Sequence, residues 1–78
     1  MATLLELREN LIRSFQGSID QLQQQLDAFE TLGMRTGERR KDGDPWVDTT
    51  ERDKQRVRDG IADYERAIAA LRAELRDA

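Results

Sequence analysis

Apolar residues recur at alternating steps of four and three in the first part of the chain, at Ile12, Phe15, Ile19, Leu22, Leu26 and Phe29. The same rhythm returns in the last third, at Val57, Ile61, Tyr64, Ile68, Leu71 and Leu75. Heptad spacing keeps such side chains on one face of a helix, so each run predicts a long amphipathic helix with one apolar seam. The first helix is predicted over residues 4–32 and the second over 48–77, with a connector over 33–47. The predicted fold class is all-α, an antiparallel two-helix hairpin of coiled-coil type, forming a single domain over residues 1–78.

Local signals sharpen the ends. Thr3 followed by Glu6 reads as a capping box at the start of the first helix. Gly33 supplies the left-handed residue that stops it, with Met34 returned onto Phe29. Gly17 lies on the outward face and does not shift the seam, so one helix is expected to run through it. In the connector, Gly37, Gly43 and Pro45 exclude a continuous helix. Asp48 with Glu51, or Thr50 with Asp53, starts the second helix; the run of candidate caps does not choose between them.

Two helices of equal length on a reversing connector predict an antiparallel pairing in which facing residue numbers sum to about 83. Leu26 then meets Val57, Leu22 meets Ile61, Ile19 meets Tyr64, Phe15 meets Ile68 and Ile12 meets Leu71. Near the connector Phe29 faces Lys54, a layer expected to be loose or covered by Trp46. Leu4, Leu11 and Leu32 flank the first seam, and Gly60 and Ala67 flank the second. A lone hairpin leaves much of this surface wet, which predicts a homodimer forming a four-helix bundle. The expected interface draws on Leu4, Leu11, Ile12, Phe15, Ile19, Leu22 and Leu26, and on Ile61, Tyr64, Ile68 and Leu71.

Composition narrows the function. At 78 residues the chain is of a size that ordinarily needs disulfides, metal or association to support its core. It has neither cysteine nor histidine, so association is the remaining support and the usual general base is missing. No nucleophile with its base, no metal-ligand spacing and no cofactor motif can be written from the residues, and the expectation is a protein that is not an enzyme and takes no cofactor. The start MATLLELREN carries two acids and no apolar core, and no stretch has the length of a membrane span. A cytoplasmic protein is expected.

The formal net charge of −3 disfavours a general nucleic-acid binder. Eight bases gather between Arg35 and Arg58, but six acids are interleaved with them. The leading functional expectation is therefore a small interaction protein, an adaptor, assembly factor or regulator, acting through its helix faces and a connector site of Trp46, Val47, Arg39 and Arg40. The alternative is a nucleic-acid accessory protein using the basic residues between 35 and 58. Trp46, the single tryptophan, is either a lid over Phe29 and Met34 or an anchor for a partner.

Overall fold

A computed structural model describes residues 3–77 of the chain; positions 1, 2 and 78, the ends of the expected domain, lie outside the described residues. Two long helices pack antiparallel, with a short strand pair closing one end. Helix α1 spans Leu4–Thr31. Its N-cap is Thr3, in extended conformation, whose hydroxyl accepts from the Glu6 amide at 3.1 Å, so the threonine arm of the capping box forms. The helix runs unbroken through Gly17 and ends where Gly33 turns left-handed at φ 67°. That reversal returns the Met34 amide to the Ala28 carbonyl, at 3.1 Å, alongside the Leu32 amide at 3.2 Å. One carbonyl at the helix end thus takes two donors, and the chain is thrown back toward the second helix.

Helix α2 spans Thr50–Asp77 and begins two residues later than the expected start at 48. Val47 and Asp48 are occupied otherwise: they form strand β2, Val47–Asp48, paired antiparallel with strand β1, Gly37–Glu38. Gly37 is opposite Asp48 and Glu38 opposite Val47. The stretch predicted as a plain connector is therefore a miniature β-hairpin. Its tip turns where the Asp44 amide reaches the Lys41 carbonyl at 3.1 Å, with Gly43 at φ 91°.

Between the helices the register follows the heptads. At the ends remote from the strands, Arg8 Nε meets Glu74 Oε2 at 3.2 Å. Phe15 and Tyr64 pack with ring centroids 5.4 Å apart, so the aromatic pair falls one layer away from the predicted Ile19–Tyr64 and Phe15–Ile68 pairings. Gly60 admits the Leu22 methyl, which would stand 3.2 Å from an added Cβ. Leu26, Phe29 and Val57 form the buried cluster, with Leu22 and Ile61 packed against it. Beyond it Arg58 pairs with Glu30 at 3.0 Å.

Phe29 belongs to this cluster, at 8% exposure, and does not mark a loose end. The Lys54 side chain, expected to face Phe29, is largely covered while its ammonium comes within 3.8 Å of Glu51. The remaining buried apolar residues are Ile12 and Ile68, and no described side chain is completely enclosed.

Truncating the cluster leaves a cavity that a two-helix core fills only in part. Leu26→Ala is expected to lower unfolding free energy by about 2–3 kcal/mol, read from the urea midpoint.

Candidate interaction surfaces

The strand pair is fastened to α2 by a compact polar network. Thr36, just before β1, accepts the Thr49 amide on its carbonyl at 2.9 Å and donates its own amide to Thr50 Oγ1 at 3.0 Å. Its hydroxyl donates to Asp53 Oδ2 at 2.6 Å, an oxygen that also accepts from the Thr49 hydroxyl at 2.9 Å. Asp48 Oδ1 accepts both the Thr50 amide, at 2.9 Å, and the Thr50 hydroxyl, at 2.5 Å. Thr49 and Thr50 are buried, at 7% and 4% exposure, and no buried side-chain donor or acceptor among the described residues lacks a partner. The sequence TT at the start of the second helix, which read as a choice of caps, instead ties three segments together.

Arginines lock the network from outside. Arg35 pairs with Asp48, and Arg52 reaches both Glu38 oxygens at 3.4 Å and Asp53 at 3.3 Å. The Thr50 hydroxyl, the Arg35 guanidinium and the Thr50 amide hold the Asp48 carboxyl well below the usual carboxylate range. Asp53 is also held low, by the hydroxyls of Thr36 and Thr49 and then by Arg52. The same contacts raise Arg35 through Asp48 and Arg52 through Glu38.

This fastening carries the tip, which presents the residues singled out in the connector. Trp46 and Val47 are 62% and 54% exposed, and Arg39 and Arg40 are exposed as well. Trp46 does not close over Phe29 and Met34. Its indole lies across Gly37, where an added Cβ would collide with the ring. One face of the indole is thus seated on the backbone of β1 while much of the rest meets solvent. Beside it Glu38, Arg40, Asp44, Pro45 and Val47 line a shallow groove of about 250 Å³.

The second surface is a helix face. Leu4, Leu7 and Leu11 are 63%, 50% and 46% exposed, and Leu32 is 82% exposed. Of the other residues expected at an oligomer interface, Ile12, Leu26 and Ile68 are buried within the hairpin itself, because they form its seam. Phe15, Ile19, Leu22, Ile61, Tyr64 and Leu71 are half-buried. A second apolar groove, of about 460 Å³, opens near the end of α2 between Ala69, Arg72, Leu75 and Arg76.

Of the bases between 35 and 58, Arg35, Arg52, Lys54 and Arg58 each lie against a carboxylate. Among the described residues no cluster of three or more acidic, histidine or cysteine side chains is placed to hold a metal ion. No described helix is long and apolar enough to cross a membrane.

No family model matches this chain, and no curated protein or solved structure matches it. Its functional reading rests on the surfaces alone.

The network is testable at its centre. Thr50→Val leaves the Thr36 amide without its acceptor and should cost about 1–2 kcal/mol, with faster hydrogen exchange at the Thr36 amide. Acid should loosen the same region. Asp48 and Asp53 titrate below their ordinary 3.8 when folded, so their contribution is complete above that value and is lost as pH falls through the folded values. Trp46 emission should therefore hold steady from neutral pH down to the ordinary carboxylate range and change below it; a change confined to near-neutral pH would contradict this assignment.

Proposed function

We propose that this chain is a non-enzymatic protein-interaction module that works as a homodimer and offers its β-hairpin tip to another protein. The observation that carries this reading is the row of exposed leucines on α1, Leu4, Leu7 and Leu11, with Leu32 beyond the last turn. Large apolar side chains grouped along one flank are costly to leave in water and mark association surfaces. In a bundle of two hairpins that flank is covered, and the half-buried Leu22, Ile61, Tyr64 and Leu71 become interior.

The tip is suited to a different task. A tryptophan seated on a rigid strand pair loses little freedom when a partner covers it, and Arg39 and Arg40 add donors for carboxylates beside it. The partner in this reading is a protein with an apolar pocket rimmed by acids. The alternative, a nucleic-acid accessory role for the basic residues between 35 and 58, has less support because half of those bases already face carboxylates within the chain.

Light scattering over a concentration series tests the association. The expected mass is twice the 9.0 kDa of one chain, unchanged in Trp46→Ala because the tip lies outside the bundle. A folded species of single-chain mass at every concentration would refute the homodimer.

A further inference from the structure

The two flanks of α1 differ completely in charge. Glu6, Glu9, Arg13, Asp20, Asp27 and Glu30 fall on one, and the remaining charged residue, Arg8, sits at the seam against Glu74. The other flank, followed at every third or fourth residue from 4 to 32, carries none. It begins with Leu4, Leu7 and Leu11, passes through Ser14 and Ser18, then two glutamines and an alanine, and ends at Leu32. In a chain that is 37% charged, a charge-free line along the whole helix has the composition of an interface core.

Area decides how much of the hairpin must join in. A helix of 28 residues is about 42 Å long and about 10 Å wide, so α1 alone offers about half of the ~800 Å² per partner that a stable complex buries. Both helices together reach that figure. On the same side of the hairpin α2 presents the small residues Ala67 and Ala70, while the space at Gly60 is taken by Leu22 of the same hairpin, and the charged Arg56, Asp63 and Glu74 lie toward the rim.

Resting on the homodimer reading, we propose that the second copy packs face to face with α1 against α1 in antiparallel sense, about a two-fold axis at the level of Ser18. That axis sets Leu4 against Leu32 of the second copy, at both ends of the contact, with the serines where the helices meet at mid-length. Because Arg8 and Glu74 fix the register within each hairpin, it also brings Glu74 within about one helical turn of Lys54 and Arg56 of the second copy, opposite charges on each side. The other way of stacking two hairpins runs the axis along their length. It would set Leu32 level with Glu51 of the second copy and crowd both basic tips, Arg39, Arg40 and Lys41, at one end.

The chain has no cysteine, so single introduced thiols report the geometry without ambiguity. Ser18→Cys, Leu4→Cys and Leu32→Cys, each at a position outside the buried core, are treated with a short bis-maleimide and read as one-chain or two-chain bands, beside light scattering of the unmodified protein. Ser18→Cys should link to itself. Leu4→Cys should not, since its two copies lie about 42 Å apart across the axis, but a mixture of Leu4→Cys and Leu32→Cys should link. Self-linking of Leu4→Cys, or failure of Ser18→Cys to link in a protein of two-chain mass, overturns the proposed axis and leaves the homodimer standing. A single-chain mass overturns both.

Discussion

Two helices cannot surround a side chain. Each seam residue of α1 meets α2 on one side and open space on another, and even the best-covered apolar groups, such as Val57 and Ile68, keep 8% and 6% of their surface in water. The rest of the structure answers to this limit. The ends of the seam need closure by something other than apolar bulk, and whatever flank the partner helix does not reach remains wet. Gly60 works within the same constraint, since removing a Cβ lets Leu22 settle closer to the α2 backbone than any larger residue would permit.

At the strand end the closure is polar. Thr36, Thr49, Thr50, Asp48 and Asp53 satisfy one another over a span where few apolar side chains are at hand, and the threonine methyls and backbone become buried in the process. A network of this kind is stiff because each group has its partner, and the strands inherit that stiffness. The consequence for the tip is orientation. Trp46 is held against Gly37, and the basic residues beyond it are displayed at the far end of a molecule 57 Å long.

Charge distribution separates the two tasks of α1. One flank keeps its carboxylates and Arg13 in solvent, which favours solubility, and the opposite flank carries leucine, serine and glutamine with no charge to desolvate. The half-buried residues between them, Leu22 and Phe15 among others, complete the hairpin and gain a second covered side if the uncharged flank is occupied. A small core and an uncovered flank are thus two descriptions of one shortfall, and the proposed association would address both.

The heptads of Ile12 to Phe29 and Val57 to Leu75 made both helices legible, and with them the antiparallel register, because the spacing of apolar residues along a helix dictates its face without reference to anything distant. Thr3 and Gly33 were legible for the same reason, since a cap acts within one turn. The strand pair was not: two residues on each side are too few to show alternation, and what holds them is contact between Thr36 and residues 13 to 17 positions later. The resting place of Trp46 was hidden likewise, since only the folded hairpin sets its ring on Gly37. Which leucines stay exposed was also a matter for the assembled pair, because exposure depends on what covers a residue, and periodicity marks an apolar side without saying whether one helix or two will be laid against it.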